Sequence, residues 1–455
     1  MKTIKKIVSR LLLTGAIGLF YTNSAQAGIP IEHWTQASGV QVYLVQSHSL
    51  PMVDVQLDFD AGGRRDPAGQ AGLASVTAGM TAKGVSPGAG GAEPALDENG
   101  LGEAWADLGA SFDAAASNDR MSFSLRSLTY PDLLLKATQL AARQLGEPAF
   151  AHAIWLRERE RLKAAVREAN TRPATVANRA FSSAVYGQHP YGFEMTQESL
   201  DRIGVVDMQA LYRRLILPCR ARVTLVGAVD RVQADALVAQ LFSRLLPAAS
   251  AACAALPTVP EVAPLDKAGE QQLAFDSAQA HVLIGQPGFK RDDPDYFALT
   301  VGNYILGGGG FVSRLMTEVR EKRGLSYSVY SAFAPGLHAG AFTVGLQTRP
   351  DQAMQAVQVA RAVVAQFVGS GPTAAELKAA KDNLIGGFAL RIDSNRKLLD
   401  NVANIAWNNL PLDYLDTWTQ RVEQLSAQDI QAAFARKLQP AKMVTVVLGA
   451  VETAR

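Results

Sequence analysis

Of two stretches near the start of the chain, the first is almost continuously apolar and the second alternates apolar and polar residues with a period of two. Residues 40–45 and 53–59, the second with Val53, Val55, Leu57 and Phe59 on one side, predict a pair of strands. Helical periodicity follows over residues 71–82, 101–108 and 151–170. Strands and helices in blocks, with hairpin-like pairs, predict an α+β fold in which helices cover one face of a mostly antiparallel sheet.

The pattern occurs twice. The run from Asp207-Met208-Gln209-Ala210 to Arg214 has a counterpart from Asp429-Ile430-Gln431-Ala432 to Arg436, an offset of 222 residues. In the same register Pro218 matches Pro440, and Gly227-Ala228-Val229 matches Gly449-Ala450-Val451. Each copy reads as an amphipathic helix, a proline-marked turn and a buried strand ending at glycine. So long a period marks two homologous domains, because solenoid units run to roughly 20–50 residues. Residues 246–269 are rich in Ala and Pro and read as a linker. The expected division is 28–248 for the first domain, 249–269 for the linker and 270–455 for the second domain, each with a core of its own.

The first 27 residues read differently. Lys2, Lys5, Lys6 and Arg10 precede an apolar run over 11–20, and Ala25-Gln26-Ala27 has the small-x-small form of a signal cleavage site. The run is too short to span a bilayer, which needs about 20 residues, so a cleaved signal peptide and a periplasmic destination are expected. Cleavage removes four of the 44 basic residues and none of the 42 acidic ones, leaving a formal charge of −2. Such a balance gives no reason to expect nucleic acid or an anionic membrane as partner. Cys219 and Cys253 make no disulfide framework and are expected to be unpaired thiols.

The histidines, at 33, 48, 152, 189, 281 and 338, never come closer than 15 positions, so no helix face carries two of them one turn apart. A zinc site of that kind is excluded. No Gly-x-Ser-x-Gly elbow occurs, and neither cysteine has a histidine near it in sequence. His189, beside Pro190, reads as structural. The glycine- and proline-rich stretch 84–100 reads as a mobile surface loop.

Gly72-Leu73-Ala74-Ser75-Val76-Thr77-Ala78-Gly79-Met80, with Lys83-Gly84 after it, resembles the segment that carries the inverted motif His-x-x-Glu-His in the pitrilysin/insulinase family of zinc peptidases. In that register the histidines fall on Ser75 and Gly79, the general-base Glu on Ala78, and the third ligand, counted back from Pro173, on Ala165. None of these side chains can seat a metal or activate water.

Asn303-Tyr304-Ile305-Leu306, the four glycines Gly307, Gly308, Gly309 and Gly310, Phe311-Val312-Ser313-Arg314-Leu315, and Glu318 to Tyr330 closely resemble the C-terminal half of the same family. Ser313 is expected to cap a helix running to Arg323 with Gly324 as its left-handed stop, and Leu325, Tyr327 and Val329 to alternate on one face of a strand. No Gly-Lys-Ser/Thr follows the glycines, which excludes a phosphate loop. They read as a strand-to-helix turn, either close to a bound peptide or with no contact at all.

The resemblance implies a clamshell of two such chains. Arg320 and Tyr327 are the implied catalytic pair, acting on a partner's zinc, and Gly307 to Gly310 the implied substrate-binding segment. This chain would bind no cofactor itself. Its partners would be a homologous subunit with an intact motif and an unfolded peptide. The alternative is a catalytically inactive scaffold or binding protein in a periplasmic or membrane-associated complex.

Overall fold

The computed structural model describes residues 28–88, 91, 93–245 and 253–449; the expected signal peptide lies outside them. Among these residues thirteen strands follow in chain order. Those of the first half are β1 (Glu32–Thr35), β2 (Gln41–Gln46), β3 (Met52–Phe59), β4 (Gly84–Val85), β5 (Leu96–Asp97), β6 (Ser111–Ala116), β7 (Met121–Leu128) and β8 (Arg222–Gly227). Those of the second are β9 (Gly269–Leu273), β10 (Ala280–Pro287), β11 (Val329–Phe333), β12 (Ala341–Thr348) and β13 (Val444–Leu448).

The alternation that predicted β3 is present, and the strand, central between β8 and β7, is buried almost throughout because one face lies in the core and helix Asn395–Trp407 packs on it as well. The first sheet runs β1-β2-β8-β3-β7-β6 and the second β9-β13-β10-β12-β11. Leaving out β1, the two orders are the same, and each has one parallel pair at the same place, β2 with β8 and β9 with β13. The repeat seen in sequence is therefore a repeat of topology. Helices Val205–Leu215 and Ala427–Lys437 each hold an Asp at the third position, Asp207 or Asp429, whose carboxylate accepts an N–H from the residue before the helix at 2.8 Å. Both helices lead into proline turns, Pro218–Arg220 and Pro440–Lys442, and then into β8 and β13.

The cores do not follow the linear division. Helix Pro173–Tyr186 belongs to the first half by sequence, yet it packs on β10 and β13 of the second sheet. There Ala177, Phe181 and Val185 are buried with Leu283, Val444, Val446 and Leu448. Helix Asn395–Trp407 crosses the other way onto β8 and β3. Its Trp407 ring lies 5.3 Å from the Arg222 guanidinium and 5.6 Å from that of Arg120. Each sheet is covered by a helix of the opposite half, so neither core is complete within one stretch of chain.

Cys219 and Cys253 form a disulfide across 34 positions, with Cα atoms 6.0 Å apart, correcting the expectation of free thiols. Cys219 sits in the turn Pro218–Arg220, and the linker passes beside it, a proximity that spacing alone cannot reveal. Further along, Arg220 donates to the Ala254 carbonyl at 2.7 Å, Arg65 to that of Pro257, and the His189 ring is 3.0 Å from that of Pro260. The other His189 nitrogen accepts the Tyr191 N–H at 3.1 Å, so this buried ring anchors the linker and caps the turn Pro190–Gly192. The stretch 84–100 is not all loop: β4 pairs with β5, and a helix capped by the Asp97 carboxylate begins at Glu98.

Candidate functional site

Helix Tyr296–Asn303 ends in a wide turn, Tyr304–Gly308, and then a short tight one, Gly310–Val312. The glycine run therefore joins helix to helix rather than strand to helix. Asn303 fixes the turn against β11: its amide donates to the Ser331 carbonyl at 3.1 Å and accepts the Ser331 hydroxyl at 2.7 Å. Gly307 is buried at this contact, where a Cβ would stand 2.4 Å from the Ser331 nitrogen. A residue so enclosed cannot touch a peptide; Gly308 and Gly310 are the exposed members of the run. Gly310 has φ +64°, and the two side chains after it, Phe311 and Val312, are 65% and 74% exposed.

The next segment is helical from Arg314 to Glu321, with its last turns wide. Ser313 starts it through its carbonyl, which accepts the Thr317 N–H at 3.0 Å, while its hydroxyl turns back to the Gly310 carbonyl at 2.7 Å. Gly324, at φ +61°, is the expected left-handed stop. The strand begins only at Val329, so Tyr327 lies outside it and does not share a face with Leu325 and Val329. Both of those are buried, and Tyr327 is 84% exposed. The cause is local. Ser326 is buried and its hydroxyl bonds the Ser328 and Gln347 carbonyls at 2.5 and 2.7 Å, which folds the chain into a bend and turns its neighbour outward.

Arg320 stands between two exposed rings, its guanidinium carbon 4.9 Å from the centre of Phe311 and 5.4 Å from that of Tyr327. Contacts of this kind hold a cation by the ring quadrupole and leave its edge free. Among the described residues the Arg320 guanidinium makes no hydrogen bond or ion pair, while its carbonyl accepts the Gly324 N–H at 2.8 Å. Glu318, the nearby acid on the same turn, is taken by Lys322 at 2.7 Å and Arg323 at 2.6 Å, bonds that hold its carboxyl below the usual range. Phe311 was not singled out as a site residue from sequence; the available signal was a large apolar ring directly after four glycines, where a turn has no core to bury it.

The zinc-motif register falls on helix Leu73–Met80. The Asp66 carboxylate accepts the Gly72 and Ala74 N–H groups at 2.9 and 3.0 Å and so fixes the helix start. Ser75 and Gly79, one turn apart, line a cavity of about 150 Å³ with Lys83, Glu158 and Arg161, while Ala78 is buried in the core on another side. Ala165 does not join them. It is exposed two helical turns beyond Glu158 on helix His152–Ala169, so the side chain facing the motif is Glu158.

Glu158 is not free to bind a metal. Arg161 bonds it at 2.8 Å, Arg157 at 3.2 Å, and the Lys83 ammonium lies 3.6 Å away. Burial alone would raise its pKa, but these cations outweigh burial and bring it below the ordinary value. Lys83 also pairs with Glu98 at 2.5 Å. Three cations and two carboxylates occupy this corner, Ser75 and Gly79 offer no imidazole, and a dication does not fit. Among the described residues no group of three or more His, Cys, Asp or Glu is placed to hold a metal ion.

A family model described as "Peptidase M16 inactive domain" matches residues 202–384. A solved structure described as a peptidase M16 inactive domain from Pseudomonas fluorescens is 32% identical, with a TM-score of 0.86, over 93% of this chain and 99% of that one. A Helicobacter pylori protein named "Non-peptidase homolog YmxG" is 27% identical over 93% of this chain and 94% of its own length. An uncharacterized zinc protease of Mycobacterium leprae is 30% identical over 59% of this chain, and the match spans 60% of that relative's length. The chain belongs to the M16 peptidase family, in the form whose metal-binding side chains are gone.

Proposed function

We propose that this chain is the metal-free, substrate-gripping subunit of a two-chain zinc endopeptidase, facing a homologous partner with an intact His-x-x-Glu-His motif. Arg320 and Tyr327 reach toward the partner's zinc and donate to the carbonyl oxygen of the peptide bond as negative charge develops there. The observation that carries this reading is the Arg320 guanidinium, gripped by two exposed rings with its donors open. Gly308 and Gly310 leave backbone accessible beside it. The edge strand β6, paired among the described residues with β7 alone, suits an unfolded peptide that adds as a further strand.

A periplasmic location is part of the proposal. The Cys219–Cys253 disulfide supports it, since such bonds persist in oxidising compartments, and so does the signal-like leader. No helix among the described residues is long and apolar enough to cross a membrane.

The test is co-expression with a homologous chain carrying the intact motif, followed by hydrolysis of an unfolded peptide by the purified pair. Arg320→Ala is expected to lower kcat/KM by about 10²–10³, the effect of losing one oxyanion donor, with assembly unchanged. Unaltered kcat/KM in both Arg320→Ala and Tyr327→Phe would remove the pair from the chemistry. A second reading, a scaffold without chemistry, is favoured by the end-to-end match to the H. pylori non-peptidase homologue. It predicts a stable assembly that cleaves nothing.

A further inference from the structure

The cavity at the lost zinc motif has a chemistry of its own. Val76, Met80, Trp155, Leu162 and Met195 give it an apolar wall. The Trp155 indole N–H is already satisfied by the Ile203 carbonyl at 3.1 Å, so the ring offers the cavity only carbon. A Cβ on Gly79 would meet nothing within 4 Å, which leaves the space beside the helix open. Its volume of about 150 Å³ matches that of an apolar cavity able to hold one benzene-sized group.

The rim is polar and cationic. Arg161 bonds Glu158 through Nε alone, and its two terminal nitrogens have no partner among the described residues. Its side chain is 65% exposed, and the Ser75 hydroxyl, on the same rim, likewise makes no bond among the described residues. Lys83, Arg157 and Arg161 outnumber Glu98 and Glu158 by one charge. One hydrophobic side chain and one carboxylate would satisfy everything the pocket leaves open. A carboxylate fits the planar fork of an arginine with two parallel bonds.

We propose that this cavity binds the C-terminal residue of a hydrophobic peptide, the side chain seated against Trp155 and Met195 and the terminal carboxylate on Arg161 and Ser75. The proposal deepens the peptide-gripping reading by naming the part of the peptide that this chain holds. Its test needs neither the zinc partner nor hydrolysis, so it stands or falls apart from that reading.

The experiment is calorimetric titration of the full chain with acetyl-Ala-Ala-Ala-Leu as the free acid and as the C-terminal amide. The acid is expected to bind about tenfold more tightly, the difference made by one charge-assisted contact. Arg161→Gln should equalise acid and amide at the cost of only a modest fall in thermal stability, because Lys83 and Arg157 still face Glu158. Gly79→Leu should fill the cavity and weaken both. Equal affinity for acid and amide in the wild-type chain, no binding of either, or tight acid binding that survives both substitutions would overturn the assignment.

Discussion

What sets Arg320 apart is that its neighbours are otherwise engaged. Glu318 is shared by Lys322 and Arg323, and Phe311 and Tyr327 hold the guanidinium by its faces without using its N–H groups. Arg314, six positions earlier, is the opposite case. It grips Glu376 with two bonds of 2.6 and 2.7 Å and holds that carboxyl down at about 2. A folded-state value below the unfolded one means that the stabilisation is complete above about pH 4.5 and lost as pH falls toward 2. Glu376→Gln should therefore cost about 1–2 kcal/mol at pH 7, a figure discounted for its solvent-facing side, and almost nothing near pH 2. Urea unfolding of both proteins across that range reads the difference, and a gap that stays constant with pH would contradict the account. Resemblance to the family, rather than residue identity alone, singled out Arg320 and Tyr327, and the residues around them foretold only the helix stop at Gly324. The resemblance could not place Glu158: Ala165 lies on the same helix, and only the packing of that helix on Leu73–Met80 decides which turn faces the motif.

Among the elements, the glycine turn and the linker were the least legible in sequence. Four consecutive glycines announce a bend without saying what approaches it. Packing distinguishes them, since Gly307 lets a helix end sit directly on β11, whereas Gly310 supplies a positive φ in open space. Gly307→Ala should cost about 2 kcal/mol or more, because the obstructing atom is strand backbone that cannot swing aside. Gly310→Ala should cost only the left-handed penalty, about 1 kcal/mol. Equal midpoints for the two variants in urea would show that the turn yields where the contact suggests it cannot. The linker looked like a spacer because Ala and Pro carry no pattern of their own. Its described part, from Cys253 on, is held by groups far away in sequence, namely Cys219, Arg65, Arg220 and His189. Replacing both cysteines by serine should lower stability by about 2–4 kcal/mol, as expected for releasing a loop of this length. Chemical denaturation measures that loss, and an unchanged midpoint would mean that the side-chain bonds alone hold the linker.

On the scale of the whole molecule, the duplicated topology suggests two independent units, and the helix exchange denies it. The 222-residue register predicted the matching sheets because hydrophobic periodicity is a local property. Which sheet a helix covers is not local, and nothing in the amphipathic pattern of Pro173–Tyr186 says that its apolar stripe belongs to strands a hundred residues and more further on. Phe181 makes the dependence specific, its ring standing where a Cβ on Gly285 of β10 would come within 2.8 Å. Phe181→Ala should therefore cost about 3–5 kcal/mol, the usual effect of emptying a buried ring site. Amide exchange should show the loss chiefly in β10 and β13 of the second sheet rather than in β2, β3 and β8 of the first. If protection fell mainly in the first sheet, the helix would belong to its own half. The same exchange makes a chain cut at the linker expose two apolar helix faces and one face of each sheet. The halves should consequently regain native exchange protection only when mixed.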